Sequence, residues 1–448
     1  MQVKLLVKGL VLLLLFLLLQ VPLWWTRDVV DERAGFRDQA VTDVAHSQAG
    51  TQQLIGPILV VPFRRQWQER SVDADGKVVL RECSAEEQLT LLPENLQVNG
   101  NLQVETRQRG IFPVPVFRNT LTLTGKFIWP EYYGRQPRDG ETLSWRQPYL
   151  ALSVSGQRGI KQVAPLQWKK SEQRFLPGSK LGDLQDGQGL HAPVPLTVAG
   201  DQSEFHITLS LAGTRQFGVI PVGSQTDLQL QSNWPHPQFN GGQLPDERSV
   251  SDNGFTGHWQ TSHLATNLGD NWARCRADAD RCDNLWQQQL SVSLFEPVDI
   301  YSLSERALKY GFLFLGITFA AFFLLEMRLA IPVHPVQYGL VGLALGLFFL
   351  LLISLSEQIG FTAAYSIAAA ACISLITFYL SAVLREKKTA LGFAALLAAL
   401  YAALYVILQL EDVALLIGAL LLFVLLAVAM AVTRRFDWYD WRAPPVAG

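Results

Sequence analysis

Charge is scarce in this chain. Of its 448 residues only 17% are Asp, Glu, Lys or Arg, while 49% are apolar; a soluble domain ordinarily carries about 25% charge. So apolar a composition excludes a disordered chain, and four cysteines exclude a small scaffold stapled by disulfides. The 37 basic and 39 acidic residues leave no basic excess for nucleic acid. Catalytic signatures are missing too: there is no G-x-S-x-G, H-E-x-x-H, Walker A loop, Rossmann glycine run or EF-hand loop. No cofactor is expected.

The charge that is present is unevenly spread. Residues 311–325, 336–355, 361–384, 389–410 and 413–432 are strongly apolar, as is Leu5 to Trp25, whereas Thr26 to Lys309 has an ordinary soluble texture. A helix needs about 20 apolar residues to cross a hydrocarbon core of about 30 Å. The N-terminal run is long enough, and QVPLWWTRDVVDER after it offers no small-residue cleavage site. It reads as an uncleaved anchor with Trp24 and Trp25 at the far interface. Five further spans are expected near Lys309–Arg328, Val336–Leu355, Phe361–Val383, Thr389–Leu410 and Val413–Thr433, with Glu326 intruding at the end of the first of these.

Six spans place both termini on one side. Lys4, Lys8, Arg328, Arg385, Lys387, Lys388, Arg434, Arg435 and Arg442 then all face the cytoplasm, and the outer turns Ser356–Gly360 and Glu411–Asp412 carry no basic residue. The expected architecture is a multi-pass inner-membrane protein in which a six-helix α-helical transmembrane part carries a large mainly-β periplasmic domain. Its parts are the anchor 1–25, the periplasmic domain 26–309, a five-helix bundle 310–433 and a cytoplasmic tail 434–448. Small residues favour close helix packing: Gly342 and Gly346 form GxxxG, and Ala390, Ala394, Ala398 and Ala402 recur at i, i+4. A compact bundle is the expected use; a dimer face is the alternative.

In the soluble part, Asp28 to Gln48 is helical in period. After it come alternating segments such as PILVVPF, LQVNGNLQVET, NTLTLTGKFIW, EFHITLSLAG and TDLQLQS. Many strands with short turns predict an antiparallel, sandwich-like fold, with a hairpin turn at Asn99-Gly100. Cys275 and Cys282 flank a polar loop where an oxidising compartment permits a disulfide, leaving Cys83 free. A metal site built on His236, His258 and His263 is not expected, because zinc ligands normally group more tightly.

Two stretches stand out, SNWPHPQF at 232–239 and GFTGHWQ at 254–260. Prolines stiffen the first, so Trp234, His236 and Trp259 are candidates for contact with a partner. The competing reading makes the tryptophans core plugs. In the membrane part the ionisable groups sit at span ends, and Glu357, beside Ser354 and Ser356, is the candidate intramembrane polar residue.

The anchor followed by VDERAGFR, then QLIGPILVVP, SNWPHPQF, GFTGHWQTS and HPVQYGLVGLALGLFFLLLISLSEQIGFT, resembles the CreD family of inner-membrane proteins. The likeness runs to FDWYDW near the C-terminus. It implies a Gram-negative cell-envelope protein associated with the CreBC two-component system and with responses to colicins and β-lactams, and it implies no enzymatic activity or catalytic residues. The leading expectation is a non-enzymatic protein that maintains envelope integrity, with membrane lipids and a periplasmic or inner-membrane protein as partners. The alternatives are a transporter or flippase-like carrier for a lipid or wall precursor, and a periplasmic hydrolase.

Overall fold

The structure, a computed structural model, describes residues 2–72, 78–182, 184–294, 299–329, 333–383, 387–410 and 414–434. The chain forms two compact units, residues 1–37 with 298–448, and residues 38–297.

The first unit is helical. Gln2–Leu18 and Gln20–Gln48 are separated only by Leu19, whose N–H still donates to the Leu15 carbonyl at 2.9 Å, so the apolar run continues as one rod. Among the described residues five helices are long and apolar enough to cross a membrane: Val7–Gln48, Ile300–Met327, Pro335–Ile359, Phe361–Val383 and Lys387–Gln409. A further apolar helix spans Ala414–Thr433. The turn at Glu411–Asp412 and the expected tail beyond Arg434 lie outside the described residues.

Local chemistry sets the helix ends. His334 Nδ1 accepts the Val336 N–H at 3.3 Å, Gln337 Oε1 accepts the His334 N–H at 3.0 Å, and Pro335 occupies the first turn, where its missing N–H costs nothing. Gly360, at φ +80°, ends that helix, and Phe361 opens the next.

Glycines decide how the N-terminal helix docks. A Cβ on Gly342 would overlap Leu19 Cδ1, and one on Gly339 would touch Leu15 Cδ1 at 3.5 Å. The notches in Pro335–Ile359 are therefore filled from within the chain, while Gly346 meets nothing within 4 Å. The alanine stripe differs from expectation. Ala390 and Ala394 are buried, but Ala398 and Ala402 are exposed. Each i, i+4 step drifts about 40° around a 3.6-residue helix, so the row leaves the interface after two steps. The buried seam runs through Phe393, Leu397, Leu400, Tyr401 and Leu404 instead.

The second unit holds two nine-stranded sheets. The first follows the order Leu176–Pro177, Gly189–Pro193, Tyr149–Val154, Gln52–Val72, Gln216–Ile220, Leu290–Leu294, Pro237–Gly241, with Val78–Leu91 and Glu141–Trp145 also on Gln52–Val72. The second runs Glu247–Ser251, Gly254–Ser262, Gln225–Ser232, Asn95–Arg109, Phe112–Ile128, Gln202–Thr214, Leu166–Trp168, Ser171–Gln173, with Ile160–Val163 also on Gln202–Thr214. Their apolar faces meet in one core, where Phe117 of the second sheet packs edge-on against Phe217 of the first at 6.1 Å.

The sheets are mixed rather than purely antiparallel. Gln52–Ile55 runs parallel to Phe217–Ile220, and Asn95–Leu102 runs parallel to Gln225–Ser232. Both pairings join segments far apart in sequence, as parallel pairing requires. The expected turn at Asn99-Gly100 is also absent, since one strand runs through it. Gly100 faces the core, where a Cβ would overlap Leu230, so the glycine serves close packing. The hairpin turns ten residues later at Gly110-Ile111, with Gly110 at φ +64° between the paired Arg109 and Phe112. Short helices follow the last long strand, and there Cys275 and Cys282 are joined by a disulfide and buried. Cys83 is free.

Candidate functional site

Alternation along Gly254–Ser262 separates two sets of residues. Phe255, Gly257 and Trp259 face the core, while Thr256, His258 and Gln260 face out. Trp259 is fully buried against Phe239 at 5.7 Å, and its indole N–H donates to the Gln243 carbonyl at 3.3 Å. Its candidate role in partner contact is therefore corrected to a core plug. Trp234 is half-buried against the same core and donates its indole N–H to the His236 carbonyl at 3.1 Å, closing the stiff turn on itself. Only His236 of the three is exposed.

The outward set belongs to a grid that sequence reasoning missed. Register places Thr122, Asn99, Gln229 and His258 in one row across four strands, and Thr120, Asn101, Gln231 and Thr256 in the next. A third row holds Thr124, Gln97, Asp227 and Gln260. Neighbouring groups are about 4.8 Å apart across strands and about 6.8 Å apart along them. Two depressions of about 680 and 700 Å³ lie on this face, and a third of about 410 Å³ continues toward Asn233. The grid's charge is confined to one knot. Asp227 Oδ2 accepts from Gln260 Nε2 at 3.1 Å and sits 3.0 Å from His258 Nε2, whose Nδ1 is 4.0 Å from Glu247. The legible signal was the identity of the polar half of the alternation: NGNLQV and TDLQLQS supply amides and hydroxyls where surface strands usually carry charge.

The helical unit pairs its two buried carboxylates, Glu326 and Glu357. Glu357 has a side chain only 8% exposed, accepts a hydrogen bond from Tyr301 Oη at 3.0 Å and lies 3.8 Å from Arg33 Nε. Arg37 binds Asp299 at 2.5 Å and covers the Tyr301 ring. Near the opposite end of Pro335–Ile359, Lys8 forms an ion pair with Glu326 and donates to the Val333 carbonyl at 2.9 Å. Glu326 also accepts from the Val333 N–H at 3.2 Å and from Tyr338 Oη at 2.8 Å, so both its oxygens are bonded. The apparent intrusion of Glu326 into a span is thus half of a clasp between residues 318 positions apart. Among the described residues no group of three or more His, Cys, Asp or Glu is placed to hold a metal ion.

Apolar helices of spanning length beside a large mixed-sheet domain define a multi-pass membrane protein. The family model described as inner membrane protein CreD matches residues 4–439, and the chain belongs to that family. It is 36% identical over 431 residues to the inner membrane protein CreD of Escherichia coli, covering 96% of this chain and 92% of that protein.

Proposed function

We propose that this inner-membrane protein is non-enzymatic and maintains the cell envelope by binding an envelope component or a partner protein through its mixed-sheet domain. The observation that carries this reading is the distribution of polar chemistry. In the helical unit Glu326 and Glu357 are each engaged by cationic and phenolic partners, whereas the sheet unit turns a broad row of amides and hydroxyls outward. In this reading Ala414–Thr433 is the sixth span, both termini are cytoplasmic and the domain near 26–309 is periplasmic. The basic residues of the short loops support that orientation. A phosphatase fusion after Asp270 is expected to be active and one after Lys388 inactive; the reverse pattern defeats the orientation.

The competing carrier reading is tested at Glu357. Glutamine keeps an acceptor for Tyr301, and Arg33, 45% exposed, returns to water. Glu357→Gln is therefore expected to cost at most about 1 kcal/mol and to complement an envelope-stress phenotype at matched membrane abundance. Complete loss of complementation at normal abundance supports a carrier with a working carboxylate in the membrane. The binding reading itself is tested by mounting residues 38–297, which have their own core, on an unrelated membrane anchor. Complementation from that anchor is expected.

A further inference from the structure

We infer that the outer face of the second sheet binds an uncharged glycan strand of N-acetylated amino sugars, the polymer of the wall outside the inner membrane. The inference rests on the periplasmic binding reading above and names its site and ligand class. The first observation is what the grid offers. Asn99, Gln231, Thr120, Thr122 and Thr256 are exposed or half-exposed and make no side-chain hydrogen bond with described residues. Each amide presents a donor and an acceptor and each hydroxyl presents both. An acetamido sugar carries the same two kinds of group, so every contact can be matched in either sense.

The second observation is what the grid withholds. The long hairpin of the other sheet carries Arg64, Arg65, Glu69, Arg81, Glu82 and Glu86, paired in part as Arg64–Glu86 at 3.1 Å. Across twelve positions in three rows the grid carries one carboxylate and one histidine, bound to each other. The cations around the grid are scattered, with Arg118 and Lys126 beyond its two ends on Phe112–Ile128 and Arg248 at the rim beside Glu247, so an anionic lipid headgroup or nucleic acid meets no cationic cluster among the twelve positions. An acyl chain finds no hydrocarbon side chain among the twelve positions. An extended peptide pairs with a sheet edge through its backbone, whereas this is the middle of a sheet whose backbone groups are already bonded. A chain of hydroxyls and amides laid across the strands fits the remaining chemistry. Across one row such a chain meets Thr122, Asn99, Gln229 and His258 in turn, and the next row repeats the central pair as Asn101 and Gln231.

The test uses the full-length protein in nanodiscs. The probes are the tetramer of N-acetylglucosamine, a glucose tetramer without acetamido groups, and longer soluble strands of N-acetylglucosamine, which carry no carboxylate. Saturable binding is expected for the N-acetylated tetramer and, more tightly, for the strands. It should be at least tenfold weaker for the glucose tetramer. Asn99→Ala combined with Gln229→Ala, both exposed and remote from the core, is expected to weaken strand binding at least tenfold without changing the melting temperature. No saturable binding, or binding indifferent to that double substitution, overturns the assignment. If binding is absent while the foreign-anchored domain still complements, the glycan assignment alone falls. If the foreign-anchored domain fails to complement at normal abundance, the binding reading beneath it falls as well.

Discussion

Replacing Glu326 with leucine is expected to remove most of the folded protein from detergent extracts. The substitution strips Lys8 of its counter-charge and leaves Tyr338 Oη and the Val333 N–H without their acceptor. Removing one partner of a buried ion pair costs about 3–5 kcal/mol, a large share of the stability of an ordinary domain. Glu326 is 9% exposed and Lys8 25%, so part of the lysine retains an escape route toward the interface, and a value near the lower bound, about 3 kcal/mol, is expected. The pair Lys8→Met with Glu326→Gln removes both charges and keeps an amide acceptor, so it should recover most of the loss. The measurement is the monodisperse fraction and the midpoint of thermal unfolding at equal expression. A Glu326→Leu protein as stable as the parent would show that the clasp contributes nothing.

A comparable effect is expected where the N-terminal helix enters the bundle. Gly342→Val puts a branched side chain where Leu19 Cδ1 lies, with Phe319 and Leu315 closing the other sides at 3.1 and 3.3 Å. Overpacking of this kind costs typically about 1–3 kcal/mol, and the helix backbone here leaves little room to relax. Gly346→Val meets open space and should be nearly silent, which controls for the loss of a glycine. Leu19→Ala clears the notch, so the double variant Leu19→Ala with Gly342→Val should be more stable than Gly342→Val alone. Additive losses in that pair would mean that the two residues do not touch.

Much of the helical unit could be read locally. Hydropathy marks where the helices lie because a segment of some 20 apolar residues has few other uses, and the capping chemistry around His334 and Pro335 acts within four residues. The sheet unit was legible in kind but not in direction. A half-buried strand alternates in the same way whether its neighbour runs parallel or antiparallel, so QTDLQLQS carries no mark that it pairs with Asn95–Leu102 in parallel. Asn99-Gly100 has the composition of a tight turn, yet the glycine answers to Leu230 and Asn119, which arrive from other strands. In GFTGHWQ the side chain singled out was Trp259, which turns inward while His258 turns outward, since one face of the strand had to meet the core.

What the sequence by itself determined was therefore the set of properties that depend on near neighbours: which segments are apolar enough for a membrane, which alternate, and where helices begin and end. The tertiary structure alone decided every pairing of distant residues. It brought Lys8 to Glu326, Arg33 and Tyr301 to Glu357, and Leu19 to the notch at Gly342. It also aligned amides and hydroxyls from four separate strands into one grid. The reason is geometric. Hydropathy and backbone period act over a turn or a few residues, whereas a buried charge or a missing side chain acquires its meaning from whichever atoms fold against it.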